Sequence, residues 1–460
     1  MSQRQASPAT STSLDQPWWK LLTGYHWFVF AVAAAAWSFD CLDQRLFSLA
    51  RKPALLALTV PGTDVNGLAK VVTALFLIGW GIGGLFFGAL GDRFGRARML
   101  TITVLIYSLA TGLSFFSQYW WDFALFRFIT GVGVGGVFGL AAALIAESVP
   151  SGARVQCLGM LQILSTAGNV GAGLFADGIS ALASAGKIPA NYDWRCMFLV
   201  GALPAFMVIF IQKYLKEPES WLHLKKIGHL PTGGLLAPYR DLVKEVRWRH
   251  HLIVGSLIAS TGVVGLWAIG EYAVDLQMNV FTAYYKGQGA AVDQIKGLVD
   301  HAKFWAYECN MAGACIGMWI FTVIAKSFGR RLAFFLGFVA ALVVTVFVYW
   351  KMSTPAEAYW MMALMGAAQL GLFAGFAIYL PELFPSRLRS TGTSFCYNLG
   401  RFAAAGGSFF SALLTTQVYG GSGPILAARY SAITMCAIFL VGLITLPFAP
   451  ETKGQPLVEE

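Results

Sequence analysis

The chain is 460 residues long, 57% hydrophobic and 12% charged, and its 33 Lys and Arg outnumber 23 Asp and Glu for a formal charge of +10. Domains that face water carry roughly 25% charge to solvate their surface, which excludes a disordered chain and a polar multidomain enzyme and leaves a membrane protein. The positive excess fits loops held on the cytoplasmic side of a bilayer, and no nucleic-acid partner is expected.

A bilayer crossing needs about 20 mostly apolar residues in a helix. Residues 1–21 read as a cytoplasmic tail ending in an interfacial Trp18-Trp19-Lys20 anchor. Apolar runs then predict spans near 22–48, 68–91, 99–117, 121–146, 153–180 and 194–214. After the polar stretch 215–250 come six more, near 251–282, 303–325, 332–350, 357–381, 390–418 and 425–449, and residues 450–460 read as a second cytoplasmic tail. The expected fold is all-α, with twelve transmembrane helices in two pseudo-symmetric six-helix bundles, 22–214 and 251–449. Alternate loops gather Arg93, Arg96 and Arg98, Arg154, the bases of 215–250, Lys326, Arg330 and Arg331, and Arg387 and Arg389. That bias assigns both termini and the central loop to the cytoplasm of a cell-membrane protein. Arg51, Lys52, Lys187, Lys286, Lys296 and Lys303 are assigned to the opposite side.

Seven cysteines without a CxxC pair read as small buried hydrophobes rather than a metal or disulfide framework. Gly79, Gly81 and Gly84, and again Gly131, Gly133 and Gly136, spell GxGxxG. A dinucleotide fold needs a preceding strand; inside apolar spans, small residues at this spacing instead bring membrane helices close together. The GxxxxGK[ST] loop of an ATP-driven pump does not occur, and no cofactor is expected.

The halves repeat. Glu147-x-x-Pro150-x-x-x-Arg154 recurs as Glu382-x-x-Pro385-x-x-x-Arg389 at an offset of 235, Phe94-Gly95-Arg96 as Phe328-Gly329-Arg330 at 234, and Pro218-Glu219 as Pro450-Glu451 at 232. Such duplication predicts a carrier whose solute site lies between two rocking bundles.

The stretch Gly88–Arg98, centred on Gly91-Asp92-Arg93-Phe94-Gly95-Arg96, resembles the signature loop of the major facilitator superfamily, and Arg127–Gly136 resembles its fourth-helix motif. Glu147–Arg154, Trp194-Arg195 and Glu217-Pro218-Glu219-Ser220 are similar to its sugar-porter, organic-ion and sialate/carboxylate branches. The resemblance covers about residues 22–452. It implies a secondary transporter and not an enzyme: a monomer that moves a small solute by alternating access. The expected activity is proton-coupled uptake of an organic anion such as a sialate, a sugar acid or a short hydroxy acid. A neutral-sugar porter, an organic-cation or drug exporter and a transport-dead receptor of the same fold stay open.

Polar groups within apolar spans are costly and mark sites. On the first span Asp40 and Asp43 stand one helical turn apart with Arg45 just beyond. A carboxylate tuned by burial and a neighbouring cation is suited to carry a proton; a static Asp–Arg pair is the alternative for Asp40. Glu271 and Asp275, four apart on the seventh span, are open between proton handling, a salt bridge and solute binding. Arg127 is expected to have an acidic partner in a structural or coupling role. Arg401 offers a planar fork that fits a carboxylate, and its stretch, Tyr397-Asn398-Leu-Gly-Arg401, resembles the one that sialate/carboxylate symporters and organic-anion carriers associate with anionic solute; hydrogen-bonding backbone carbonyls or neutralising Asp40 are its alternatives. Tyr397, Asn398, Gln162, Asn169 and Gln369 are further candidate solute contacts, although Asn and Gln also join membrane helices.

At the cytoplasmic face, Asp92 with Arg93 and Arg96, Glu147 with Arg154, and Glu382 with Arg389 are expected to form an ionic latch that biases a two-state equilibrium. Lys326 and Ser327 stand where the first copy has Asp92 and Arg93, so the latch is expected to be stronger in the N-terminal half.

Overall fold

The computed structural model describes residues 16–189, 192–231 and 233–459, apart from a few helical side chains. The described residues form helices and no strands. The first five crossings are α1 (Gly24–Leu58), α2 (Val65–Phe94), α3 (Arg96–Leu113), α4 (Trp120–Ser148) and α5 (Ser151–Ser184). Two shorter helices, α6 (Asp193–Gly201) and α7 (Met207–Tyr214), share the sixth. Next come α8 (Glu219–Lys226) and α9 (Ala237–Lys244), and then the seventh crossing, in which α10 (Val246–Val264) passes through a π-turn at Gly265–Ile269 into α11 (Gly270–Gly287). The rest are α12 (Val292–Ser327), α13 (Arg330–Lys351), α14 (Pro355–Glu382), α15 (Arg389–Leu413) and the pair α16 (Pro424–Met435) and α17 (Ile438–Thr445). Nine of the described helical segments are long and apolar enough to cross a membrane unaided. The others, including α1 and α15, fall short in length or hydropathy, and α1 and α15 carry Asp40, Asp43, Arg45 and Arg401.

Several helices outrun their apolar runs. Arg51, Lys52, Lys296 and Lys303 lie within α1 and α12 rather than in loops, because hydropathy reports the thickness of lipid and not the end of a helix. Lys, Arg, Leu and Ala are all good helix formers, so nothing stops the helix at the first charge. The central stretch 215–250 holds α8 and α9, which cover one end of the molecule. Trp221 donates to the Asp92 carbonyl at 2.8 Å, and Tyr239 to the Leu85 carbonyl at 2.5 Å.

The glycine runs act as helix contacts. Gly79 and Gly83 of α2 face the backbone of Phe128 and Val132 on α4, while Gly131 and Gly135 face that of Phe76 and Trp80. A Cβ at any of these would meet the opposing main chain, so only glycine permits the approach. Gly313 and Gly317 of α12 repeat the arrangement against Ala363 and Ala367 of α14. A second face of α2, Gly84, Gly88 and Gly91, meets Asn398, Ser394 and Ser390 of α15 and forms a narrow seam between the bundles.

The two copies share a cap. Gly95 and Gly329 both take φ 110° before α3 and α13, a conformation open to glycine. Glu217 accepts from the N–H groups of Ala97 at 3.1 Å and Arg98 at 2.9 Å. Glu451 accepts from Arg330 and Arg331, each at 3.0 Å. The structural counterpart of Glu451 is therefore Glu217 and not Glu219, which brings this motif to the same offset as Phe94-Gly95-Arg96. Burial pushes both carboxyls up, and the backbone N–H groups oppose it. For the more buried Glu217 burial prevails and the group ends above its ordinary value; Glu451 is held below. A lowered carboxyl stabilises the fold above its unfolded pKa and loses that contribution as pH falls through its folded pKa. Glu451→Gln is thus expected to lower Tm by a few degrees at pH 7, with the gap closing below about pH 4. Thermal unfolding in detergent at both pH values checks it, and a gap that persists in acid counts against the charge.

Candidate functional site

Two constellations lie between the bundles. The first is at the end where α2, α4, α12 and α14 finish. Glu147, at the last turn of α4, is bound at 3.1 Å by Arg96 and at 2.7 Å by Arg389 of the other bundle, and all three side chains are 0% exposed. Arg96 also pairs with Asp92 at 3.0 Å and donates to the Ser386 carbonyl. Asp92 accepts from the first turn of α15: Ser390 N at 3.1 Å, Thr391 N at 2.8 Å and Thr391 Oγ1 at 2.6 Å. A carboxylate at a helix N-terminus is stabilised by the free N–H groups and the helix dipole. In the second half Arg330 pairs with Glu382 at 2.7 Å, and Thr452 donates to Glu382 at 2.6 Å.

The ion pairs are not those the repeat suggested. Arg154 turns back to the Ala146 carbonyl at 2.8 Å, capping the end of α4, and makes no ion pair within 4.0 Å among the described residues. Glu382 takes Arg330, which frees Arg389 to cross to Glu147. Arg93 is exposed, 5.1 Å over the Phe94 ring, and stands outside the network. Asp92 reaches the other bundle, while its positional counterpart Lys326 is exposed and makes no such contact among the described residues, so the ion cluster is asymmetric.

The second constellation is central. Arg401 of α15 is 5% exposed, and its guanidinium lies 3.2 Å over the Trp80 ring of α2. Tyr397 is 5.0 Å away and Trp267, presented by the π-turn, 5.9 Å. Its Nε and Nη1 have no hydrogen-bond partner, and no carboxylate lies within 4.0 Å among the described residues. Asp40 is wholly buried within electrostatic range; Gln44 donates to its Oδ1 at 3.0 Å and its Oδ2 has no partner. Tyr397 stacks on Phe138 at 3.9 Å. Trp37 donates to Gln162 Oε1 at 3.0 Å and leaves Gln162 Nε2 without an acceptor. Asn398 gives its amide to the Ser394 carbonyl at 2.8 Å, and its Oδ1 has no partner.

Other expected members are elsewhere. Asn169 donates to the Ser165 carbonyl of its own helix at 3.3 Å, and Gln369 joins α14 to α13 through Thr345 at 2.9 Å. Arg127 finds its acidic partner in Asp43, at 3.5 Å, inside the N-terminal bundle, with Ser114 and Thr111 completing the hydrogen bonds at 2.8 Å each. Arg45 turns away from Asp40 and lies 3.7 Å over Tyr307 of α12, joining the bundles at the end opposite the latch. The side chains of Glu271 and Asp275 lie outside what the structure describes.

Trp80 and Trp267 were not singled out by sequence. The first had a signal, an aromatic ring set among glycines in Gly79-Trp80-Gly81; the second had none. A buried cation is expensive to desolvate, and a ring face recovers about 2 kcal/mol of that without consuming any N–H group. The central arginine is thereby held in place with Nε and Nη1 free.

Comparison with known proteins agrees with this architecture. The family described as Sugar (and other) transporter matches residues 19–230 and 301–460. A putative metabolite transport protein of Haemophilus influenzae is 29% identical over 95% of this chain and 99% of its own. The cis,cis-muconate transport protein of Acinetobacter baylyi is 25% identical over 88% and 94%. Among solved structures, the major facilitator proton:xylose symporter XylE superposes with a TM-score of 0.71 at 19% identity, covering 94% of this chain and 98% of that one. At that identity the likeness speaks for the fold alone.

Proposed function

The chain belongs to the sugar (and other) transporter family of the major facilitator superfamily, and from that premise we propose that it takes up a small organic monocarboxylate together with a proton. The observation that carries this reading is the buried guanidinium of Arg401, at the bundle interface, with two nitrogens unpartnered and Asp40 Oδ2 also unpartnered nearby. A relative named for transport of muconate, an organic acid, supports the anionic class.

Charge balance supplies the coupling. In the empty carrier Arg401 and ionised Asp40 sum to zero. A carboxylate arriving at Arg401 leaves the buried site at minus one unless Asp40 takes a proton. With the proton on Asp40 the loaded site is neutral again, and neutral sites are the ones that can close off from water. Solute and proton thus enter together, and Asp92, Glu147 and Arg389 set how readily the latch end opens. In this reading the protein acts as a monomer in the cell membrane with both termini cytoplasmic, the bundles 22–214 and 251–449 rocking about the segment 215–250.

Proteoliposome uptake of a labelled carboxylate with the outside acidified is the direct test. Wild type is expected to concentrate solute. Asp40→Asn, neutral at every pH, is expected to exchange solute across the membrane but to ignore the pH gradient. Gradient-driven accumulation by Asp40→Asn would remove the proton from Asp40.

A further inference from the structure

We propose that the carried acid is flat and unsaturated, an arene or conjugated-diene carboxylate, and that Trp80 is the residue that selects it. The inference rests on the carboxylate reading above and narrows it.

Arg401 lies with its guanidinium 3.2 Å over the Trp80 ring. A carboxylate paired with a guanidinium lies in the guanidinium plane. The acid's body then leaves Arg401 along a surface already set by Trp80. A flat body continues that layer; a puckered ring or a branched polyol must rise out of it.

The surroundings have the same character. Tyr397 and Phe138 are stacked at 3.9 Å, Trp37 is 5.2 Å from Phe138, Phe373 is 6.4 Å from Tyr397 and Trp267 is 6.2 Å from Trp80. Ring faces and edges of this kind pair favourably with another π-system beyond simple burial of area.

The polar supply is short by comparison. Among the described side chains of this constellation, the unpartnered buried atoms are Asp40 Oδ2, Gln162 Nε2 and Asn398 Oδ1, besides Nε and Nη1 of Arg401. Asp40 is needed for the proton. A sugar acid would bring several hydroxyls, each wanting a donor and an acceptor once buried, and a buried hydroxyl without them is penalised. Two amide atoms, the supply among the described residues, do not meet that demand.

The test uses three probes of one charge: benzoate, cyclohexanecarboxylate of the same ring size, and gluconate. Each is titrated calorimetrically against purified wild type, Trp80→Leu and Trp80→Phe, after thermal unfolding shows that the variants are folded. On wild type, benzoate is expected to bind about tenfold tighter than cyclohexanecarboxylate, with gluconate weakest. Trp80→Leu is expected to shrink the benzoate preference to about threefold or less, while Trp80→Phe keeps most of it. A merely structural Trp80 would weaken both ring acids alike and leave their ratio unchanged, which overturns the selecting role. Equal binding of benzoate and cyclohexanecarboxylate to wild type, or preference for gluconate, overturns flatness and leaves the carboxylate reading intact. Binding of none of the three overturns both.

Discussion

Arg401→Ala is expected to abolish carboxylate-dependent stabilisation and to reduce carboxylate uptake by at least about 30-fold. Losing one partner of a buried, hydrogen-bonded charge pair costs about 2–5 kcal/mol, and a flexible solute anion has no substitute cation at this site among the described residues. The fold itself is expected to survive. Removal of the guanidinium forfeits its stack on Trp80 but also relieves the desolvation of a charge that has no ion-pair partner within 4.0 Å among the described residues. Tm without ligand should therefore stay near wild type, which separates loss of binding from loss of structure. Arg401→Lys is expected to fall between the two, since it keeps the charge and loses the plane that both Trp80 and a carboxylate read. The measurement is a thermal-shift series of carboxylates, sugars and cations on wild type and both variants at two pH values. Ligand at 100 times its Kd adds about 2.7 kcal/mol of stability, well within such an assay. Equal stabilisation of wild type and Arg401→Ala by carboxylates would end the role given to Arg401.

Glu147→Ala is expected to open the latch end, raising the open-to-closed ratio by about 100-fold or more. A single oxygen, Oε1, holds Arg96 at 3.1 Å and Arg389 at 2.7 Å, from opposite bundles. Without it two buried guanidinium groups face each other. Breaking a buried ion pair on one side costs about 3–5 kcal/mol, and that penalty falls on the closed state alone, because parting the bundles returns both cations to water. A two-state equilibrium shifts by the full differential. Ser394 reports the change, since it packs against Gly88 and Gly139 in the seam. A Ser394→Cys reporter, in a chain whose own seven cysteines have been replaced, should be alkylated slowly in the parent and far faster with Glu147→Ala. Arg93→Ala is the matched control: an exposed cation beside Phe94 should leave the rate unchanged. Should the Glu147→Ala rate also stay unchanged, the closed end is held by the glycine seam and α8–α9 rather than by the ions.

What the sequence determined by itself was everything carried by local composition or by copying. Apolar runs counted the crossings, because about 20 residues of hydropathy suffice to mark a span. The repeated Phe-Gly-Arg and Glu-x-x-Pro-x-x-x-Arg segments marked two bundles and named most members of the ion cluster between them, and Arg401 and Asp40 stood out because ionisable groups in lipid-length helices are rare. Pairing was decided by the tertiary structure. Arg127 met Asp43 and not Asp40, Arg45 met Tyr307, Arg389 left Glu382 for Glu147, and Trp80 came to lie over Arg401. Each residue turns a helix by about 100°, and α4 and α14, apolar nearly all round, give hydropathy no preferred face from which to read that rotation. Partners more than 200 residues apart, as Glu147 and Arg389 are, become neighbours only when both rotations and the bundle-to-bundle fit are set by packing.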